Sequence, residues 1–276
     1  MPKPIADKRR DFRALHERGC FVIPNPWNAG SAKYLAGMGF KALATTSAGF
    51  AHSQGFSDGA MTLTAMLDHA RELAEATSLP VNVDFENGFA HEPDKVAENV
   101  RLCVDTGIAG LSIEDYRNDG TENLYDFDLA VARVKAARAA IDKSGSDVLL
   151  TGRAEGFLHG KPDLDEAIKR LKAFSDAGAD CLYVPGIKTR EQIEAVVKAV
   201  SPKPVNFLNA MPLGFTVKDL YAMGVRRISI GGTLSRVAMT AFIKAAREIA
   251  EKGSFEGFAG TLPNAELNKF FDEFKP

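Results

Sequence analysis

The stretch that decides the fold is Val81-Asn82-Val83-Asp84-Phe85-Glu86-Asn87-Gly88. It opens with β-branched residues, which are typical of a strand, and Asn87-Gly88 at its end predicts a turn. Asp84 and Glu86 are two positions apart, a spacing that on an extended segment puts both carboxylates on one face. A second apolar segment also ends in acids, Ile113-Glu114-Asp115. Acidic strand ends of this kind indicate a bound positive charge.

Outward from this stretch, short strand-like segments alternate with longer helix-like segments. Strands are predicted over residues 20–24, 40–44, 80–84, 109–114, 147–152, 180–184, 204–208 and 226–230. Helices are predicted over residues 1–19, 29–35, 62–78, 94–106, 127–143, 164–177, 189–199, 216–223 and 233–251. Strict alternation favours parallel pairing, and eight strand–helix units in about 250 residues predict a (β/α)8 barrel. We expect residues 1–276 to form one such domain.

The competing architecture is an open, doubly wound sheet. That fold would carry a glycine-rich phosphate-binding turn after its first strand, and Pro24-Asn25-Pro26-Trp27 is not such a turn. The number of strand–helix repeats also favours a closed barrel.

Composition limits the possible partners and surroundings. The net charge is −2 and lysines and arginines are scattered, so we expect no nucleic-acid partner. No stretch approaches 18 consecutive apolar residues, so we expect no membrane span. The N-terminus is polar, and Cys20, Cys103 and Cys181 lie far apart without a CxxC pair, a pattern typical of reduced thiols in a cytoplasmic protein.

The C-terminal segment, residues 252–276, falls outside the eight units. It places aromatic residues in polar company: Phe255, Phe258, Phe270, Phe271 and Phe274. Such a tail packs on its own barrel or on a neighbouring subunit.

The predicted strand ends carry several carboxylates and no histidine. Active sites of (β/α)8 barrels lie at these C-terminal ends, where the candidates for metal ligands are Asp84, Glu86 and Glu114. An all-oxygen set suits Mg²⁺, or alternatively Mn²⁺, whereas zinc would favour histidine or cysteine. The sequence therefore predicts a divalent metal site at the mouth of the barrel.

Other strand ends offer groups that bind anions. Arg153 could hold a carboxylate through two parallel hydrogen bonds. Thr45, Thr46 and Ser47 offer hydroxyl and backbone N–H groups, and Asn206 lies on the seventh strand. A cation, an arginine and such N–H groups together predict a pocket for a small α-keto acid, with a metal-stabilised enolate during the reaction.

Each of these residues also has a structural interpretation. Asp84 could be a cap or a member of an ion pair, and Arg153 could pair with Glu155 or Glu114. Asp58 lies in Ser57-Asp58-Gly59, which by itself is an ordinary turn. Asp115 is expected to orient a neighbour rather than to bind metal. The remaining candidates are expected to be loop histidines: His52, His91 and His159.

The chain resembles the isocitrate lyase/phosphoenolpyruvate mutase superfamily in four main segments. These are residues 25–32, Thr45 to Gly59, Val83 to Gly88, and Ile113-Glu114-Asp115. The resemblance implies a (β/α)8 barrel, dependence on Mg²⁺, and chemistry on α-keto acids or enolpyruvates. It also implies a homotetramer, a dimer of dimers, in which C-terminal helices swap between subunits.

Site roles follow from the resemblance residue by residue. Asp84 would be the closest metal ligand, with Asp58, Glu86 and Glu114 acting largely through water. The substrate carboxylate would meet Thr45, Thr46 and Ser47, and Arg153 would bind substrate oxygens. We therefore take Asp58, Arg153 and Glu114 as candidate catalytic residues.

The chain departs from the family pattern at three places. Asn28 follows Trp27 where the family usually has aspartate. Glu86 stands where the family usually has aspartate. Lyases of the family carry a Lys-Lys-Cys-Gly loop after the fourth strand, whereas residues 116–125 contain no cysteine. The mutase loop, Lys-Thr-Asn-Ser, is matched only by Thr121 and Asn123.

Three functions are consistent with this site. The first is a metal-dependent lyase or decarboxylase for a small keto acid such as oxaloacetate, with residues 116–126 closing over the substrate. The second is mutase or hydrolase chemistry on phosphonopyruvate, with Asp58 near the transferred group. The third is a barrel that binds a keto acid without turnover.

Overall fold

A computed structural model describes residues 3–121 and 123–274 of the chain. The strands are β1 (Phe21–Ile23), β2 (Leu43–Ala44), β3 (Val81–Asp84), β4 (Gly110–Glu114), β5 (Leu149–Arg153), β6 (Cys181–Tyr183), β7 (Val205–Leu208) and β8 (Arg227–Ser229). The helices are α1 (Ile5–Glu17), α2 (Ala29–Gly37), α3 (Ser47–Ser53), α4 (Leu63–Ala76), α5 (Pro93–Val104), α6 (Phe127–Lys143), α7 (Leu164–Asp176), α8 (Arg190–Val200), α9 (Val217–Ala222), α10 (Thr233–Lys252) and α11 (Asn264–Glu273). Residues 1, 2, 122, 275 and 276, which belong to the predicted first helix, closing loop and tail, lie outside the described residues.

The strands form one parallel sheet in the order β1-β8-β7-β6-β5-β4-β3-β2. Between its two ends, the Ala44 N–H donates to the Pro24 carbonyl over 3.0 Å, which brings β1 and β2 together. The predicted (β/α)8 barrel is therefore confirmed. All parallel strands point the same way, so the acidic ends of β3 and β4 meet at one rim, where Glu114 and Arg153 are paired in register.

The apolar core lies between the sheet and its helices. Val83 and Ile113 point outward from their strands and pack in one buried cluster with Val96 and Val100 of α5. Residues that alternate with them point into the barrel, because successive side chains of a strand face opposite sides. The barrel interior is consequently polar at this end, and the outward faces of the strands supply the hydrophobic burial.

Helix α1 closes the other end of the barrel. Phe12 is fully buried in a cluster with Ile23 and Leu149, and His16 is buried one turn further along. Gly110 leaves room for this helix, since a Cβ at that position would lie 2.6 Å from the Phe12 ring. The N-terminal helix predicted from the sequence therefore forms the floor of the barrel.

Two local predictions were wrong. No helix was predicted between residues 35 and 62, but the Thr46 hydroxyl accepts a hydrogen bond from the Gly49 N–H and helix α3 begins at Ser47. Strand β3 ends at Asp84, so Glu86 is not on the extended segment. Glu86 has a left-handed backbone with φ of 46°, and its carboxylate direction follows from a turn rather than from strand alternation.

The tail is helical, with a short turn at Glu256–Phe258 followed by α11. Within the chain, the ring centroids of Phe270 on α11 and Tyr34 on α2 lie 4.3 Å apart. Helix α10 has a single buried residue, Ser235, and exposes large apolar side chains such as Phe242. The exchange of this tail between subunits stays a prediction. Among the helices of the described residues, none combines the length and hydrophobicity needed to cross a membrane.

Candidate active site

Two connected cavities lie at the C-terminal ends of the strands. The inner cavity, about 160 Å³, extends into the barrel and is lined by residues of all eight strands. The outer cavity, about 480 Å³, lies beneath the loops that follow β4 and β5. Ser47, Asp58 and Arg153 line both cavities. The predicted site residues are divided between them, with Asp84 and Asn206 on the inner cavity and Glu86 and Glu114 on the outer one.

Arg153 joins the carboxylates of three strand ends. Its Nη1 lies 2.5 Å from Asp84 Oδ1 and 3.3 Å from Glu114 Oε2, and its Nε lies 2.8 Å from Glu155 Oε1. Its guanidinium also lies 5.1 Å from the Tyr183 ring centre. The structural pairing weighed for Arg153 is therefore present. The same contacts place its charge at the junction of the two cavities, where a substrate carboxylate could reach it.

Asp84 is held in place by the residues predicted to bind substrate. Its N–H donates to Thr45 Oγ1 over 2.8 Å, and the Ser47 N–H donates to its Oδ2 over 3.2 Å. The Thr46 hydroxyl caps α3, and a side-chain hydrogen bond joins Ser47 to Asp58. These contacts give Thr45 and Ser47 a role in positioning the acids, and Thr46 begins the helix that carries Ser47. The contact of all three with substrate stays a prediction.

Glu86 has one carboxylate oxygen without a partner. Asn118 Nδ2 donates to Glu86 Oε2 over 3.0 Å, whereas Oε1 is buried and accepts no hydrogen bond in the described residues. Burial, followed by repulsion from Asp84 and Asp58, raises the pKa of Glu86 to about 7. A cation, or a hydrogen-bond donor on a ligand, would stabilise this buried and unpartnered oxygen.

The neighbouring acids show the same crowding. Burial raises the pKa of Glu114 well above its usual range and that of Glu155 to about 7, although Arg153 opposes both shifts. Burial and then the charge of Asp84 raise the pKa of Asp58. Too many negative charges share this rim for one arginine to balance, and perturbed acids in a cleft are a mark of functional sites.

The donor set fits a hard divalent cation. Its acids offer only oxygen ligands, and the unpartnered oxygen of Glu86 is available as an acceptor. Within residues 3–121 and 123–274, no three His, Cys, Asp or Glu side chains converge closely enough to hold a metal ion as they stand. Arg153 bridges Asp84 and Glu114 instead. A cation at this rim would therefore have to displace part of that ion-pair network.

Asp115 has the orienting role expected from the sequence. It is buried, its Oδ1 accepts from the Glu155 N–H over 2.8 Å, and its Oδ2 accepts from Arg170 over 3.0 Å. Asp115 therefore fixes the backbone of the loop that carries Glu155.

Two loops meet above the outer cavity. The Tyr116 ring is stacked on the His159 ring, with centroids 3.5 Å apart and an angle of 9° between planes. Tyr116 also forms an antiparallel bridge with Leu124, and Asn118 reaches down to Glu86. His159 was expected to be an ordinary loop histidine, but it lines the cavity wall.

Sequence reasoning missed several residues of the inner cavity. Asn206 was predicted, and its Oδ1 accepts from Arg227 Nε over 2.8 Å while its Nδ2 donates to Ser229 Oγ over 2.9 Å. Tyr183 and Arg227 were not predicted. The available signal was the alternation in β8, where Arg227 and Ser229 flank Ile228 and share the inward face.

Fold and site define a (β/α)8 barrel with an acidic, arginine-containing pocket at the C-terminal ends of its strands. The sequence model described as phosphoenolpyruvate phosphomutase matches residues 12–250. The chain belongs to this family, within the isocitrate lyase/phosphoenolpyruvate mutase superfamily. The predicted resemblance is thereby confirmed.

Individual relatives support the same grouping. The uncharacterized protein Rv1998c of Mycobacterium tuberculosis H37Rv is 34% identical over 259 residues, covering 93% of this chain and 94% of that protein. An oxaloacetate decarboxylase of Paraburkholderia xenovorans LB400 is 31% identical over 206 residues, or 71% of this chain and 67% of the decarboxylase. The crystal structure of a provisionally named lyase/mutase from Burkholderia cenocepacia J2315 superposes with a TM-score of 0.93, with 45% identity and 97% of each chain covered. The relatives of this chain therefore include an oxaloacetate decarboxylase and a protein named as a lyase/mutase.

Proposed function

We propose that this chain is a divalent-metal-dependent lyase that acts on a small α-keto acid, cleaving or decarboxylating an oxaloacetate-like substrate through a stabilised enolate. The observation that carries the proposal is the contact between Asp84 and Arg153 at the junction of two cavities. It places a carboxylate suited to a cation beside a guanidinium suited to a carboxylate. The similarity to an oxaloacetate decarboxylase supports the choice of substrate class.

Asp84, Glu86 and Glu114 would hold the cation, which would be Mg²⁺ or Mn²⁺. When bound, it would supply a Lewis acid that neutralises negative charge on the substrate oxygens. The raised pKa values of Glu86 and Glu114 are consistent with acids that lack a full complement of positive charge around them.

The remaining site residues would bind and orient the substrate. Arg153 would exchange one of its present carboxylate partners for the substrate carboxylate. Thr45 and Ser47 would keep Asp84 in position, as they do through the hydrogen bonds described above. Asp58, beside both cavities, would hold or release a proton near the reacting atoms.

The missing lyase cysteine is compatible with decarboxylation. Loss of CO₂ from a β-keto acid requires stabilisation of the negative charge left on the enolate more than it requires a dedicated acid. The loop from residue 116 to residue 126 would cover the outer cavity and exclude water. The contacts from Asn118 and Tyr116 to the rim support this placement of the loop.

A second candidate function is C–P bond chemistry on phosphonopyruvate, by a mutase or a hydrolase. The match to the phosphoenolpyruvate phosphomutase description over residues 12–250 favours it. The same cation and Arg153 would bind the pyruvyl part, and Asp58 would lie near the transferred group. A barrel that binds a keto acid without turnover is the remaining alternative.

A substrate panel separates these functions. The protein with Mg²⁺ is incubated with oxaloacetate, phosphonopyruvate or 2-methylisocitrate, and pyruvate, phosphate and phosphoenolpyruvate are measured. Pyruvate from oxaloacetate above the metal-only background supports the proposal. Phosphate or phosphoenolpyruvate from phosphonopyruvate supports the second function. Oxalate binding without product from any substrate would contradict both enzymatic functions.

We also propose a homotetramer in which the C-terminal tail packs on a neighbouring subunit. The exposed apolar side chains of α10, including Val237 and Phe242, support the proposal, because surfaces of this kind are usually covered by a partner. In such an assembly the contact of Phe270 with Tyr34 would be made between subunits instead of within one chain.

A further inference from the structure

Arg227 carries a buried charge inside the barrel. It is 3% exposed and is the first residue of β8. Its Nε donates to Asn206 Oδ1 over 2.8 Å, its Nη2 donates to Thr151 Oγ1 over 3.0 Å, and its Nη1 lies 3.3 Å from His16 Nε2. All three partners are formally neutral groups. Among the ion pairs of the described residues, none joins Arg227 to a carboxylate.

Two titratable neighbours of Arg227, His16 and Cys181, bring no negative charge to it. His16 Nδ1 lies 2.8 Å from the Phe12 carbonyl, so its Nε2 is the acceptor that faces Arg227. Burial and then Arg227 itself lower the pKa of His16 to about 3, which keeps the ring neutral. Burial raises the pKa of the nearby Cys181 thiol, so that group also stays uncharged. A buried cation with only neutral partners is costly unless an anion joins it.

The inner cavity offers space for such an anion. Arg227 and Arg153 both line this cavity of about 160 Å³, together with the hydroxyl-bearing Ser112 and Ser229. The carboxylates that also line it are Asp58 and Asp84, and Asp84 is paired with Arg153. A liquid water occupies about 30 Å³, so the cavity has room for several waters or for a small carboxylate. Arginine has five N–H donors and Arg227 uses three of them in the contacts above, which leaves one on each terminal nitrogen.

We propose that Arg227 forms the inner end of an anion subsite in the barrel and binds the second carboxylate of a dicarboxylic keto acid. The first carboxylate would meet Arg153 at the rim. The identity of the ligand as substrate rests on the function proposed above, whereas the anion subsite does not. The subsite would favour dicarboxylates over monocarboxylates of the same class, because only a dicarboxylate can reach both arginines.

Bromide provides a direct test with the wild-type protein. Crystals soaked in sodium bromide should show an anomalous peak within hydrogen-bonding distance of the Arg227 guanidinium. A second soak with bromide and malonate should replace that peak with a malonate carboxylate. Absence of bromide at Arg227 would overturn the subsite. Bromide that stays in place beside bound malonate would overturn the assignment to a substrate carboxylate.

Variants test the same inference in solution. Arg227→Gln should weaken malonate binding about tenfold or more and weaken acetate binding less, since acetate can still bind Arg153 whereas malonate loses the contact of its second carboxylate. Arg227→Lys should recover part of the loss. Arg226→Gln is the matched control, because Arg226 donates to the Gly19 carbonyl and does not line the cavity. Equal weakening of malonate and acetate would contradict the inference.

The two proposals fail in different ways. Protein that binds bromide at Arg227 but turns over no keto acid would retain the subsite and lose the proposed function. Protein that decarboxylates oxaloacetate but binds no anion at Arg227 would retain the function and lose the subsite. If Arg227→Gln does not fold, the bromide soak of the wild-type protein still decides the question.

Discussion

The guanidinium of Arg153 is paired with the carboxylate of Asp84 at the junction of the two cavities. Each group is thereby occupied by the other. A cation bound to Asp84 would free the arginine, and a substrate carboxylate bound to Arg153 would free the aspartate. Metal and substrate should therefore bind cooperatively, and thermodynamic linkage requires each to strengthen the other by the same factor.

Asp84→Ala should abolish metal-dependent turnover. The substitution removes the acid that contacts both Arg153 and the N–H of Ser47, and we expect kcat/KM to fall at least about a hundredfold. Pyruvate formation is measured with Mg²⁺ against a protein-free blank. Asp68→Ala is the control, since Asp68 is an exposed partner of Arg71 on α4. Unchanged turnover in Asp84→Ala would remove this residue from the site.

Arg153→Lys should impair substrate binding even though the charge is kept. A lysine ammonium cannot reproduce the planar fork that now reaches Asp84 and Glu155 through different nitrogens. KM should rise about tenfold or more. Arg101→Lys, at an exposed i,i+4 pair with Asp105, provides the control. Wild-type kinetics for Arg153→Lys would show that the arginine is structural.

Asn118→Asp should release the loop above the outer cavity. The Asn118 amide donates a hydrogen bond to Glu86, and an aspartate carboxylate in its place would repel the Glu86 carboxylate. Aspartate still tolerates the left-handed backbone found at position 118. Trypsin should then cleave after Arg117 several-fold faster, and Mg²⁺ with oxalate should protect the wild-type loop. Asn123→Asp changes the same charge in the same loop and should have little effect. Equal cleavage of all three proteins would contradict a closing loop.

His16 should make the protein less stable in acid. Its folded-state pKa of about 3 lies below the ordinary 6.5, so the unfolded chain binds the proton more tightly. The stabilisation is complete above about pH 6.5 and is lost as the pH falls toward about 3, by up to roughly 1.4 kcal/mol per pH unit. His16→Gln should flatten this part of the curve, measured by urea unfolding at each pH. His52→Gln, at an exposed position, is the control and should leave the slope of unfolding free energy against pH unchanged. A wild-type slope in His16→Gln would show that His16 does not cause the loss of stability in acid.

Phe242→Ser should weaken the assembly. Phe242 is 66% exposed on α10, which places a large aromatic surface where we expect a neighbouring subunit. Light scattering after size exclusion should give a tetramer for the wild type and smaller species for the variant. Leu102→Ser on α5 removes another exposed apolar side chain and should stay tetrameric. A wild-type monomer at all concentrations would contradict the swapped tail.

The barrel could be predicted from the sequence because its signals are local and repeated. Most strands are short runs rich in apolar residues that are followed by a helix, and the carboxyl ends of parallel strands must meet at one rim. That topology alone brought Asp84, Glu114 and Arg153 together. The orienting role of Asp115 also followed, since its neighbour Glu114 points to the rim and alternation turns Asp115 away from it.

Other features depended on contacts that no local pattern contains. Helix α3 begins because Thr46 caps it, in a segment whose small hydroxyl residues are equally typical of a loop. Glu86 was placed on a strand that in fact ends before it, and its left-handed turn is stabilised by tertiary contacts such as the one with Asn118. Alternation in β8 could have placed Arg227 on the inward face, but its role could not be predicted, because a buried arginine becomes informative only when its neutral partners are known.

Calorimetric titration of oxalate, a two-oxygen chelator, tests the central claim most directly. Oxalate should bind the wild-type protein tightly in the presence of Mg²⁺ and at least about tenfold more weakly after the metal is removed with EDTA. In Asp84→Ala, the affinity for oxalate should be the same with and without Mg²⁺. Equal oxalate affinity with and without the metal, in a protein that remains folded, would contradict a cation held at Asp84 beside Arg153.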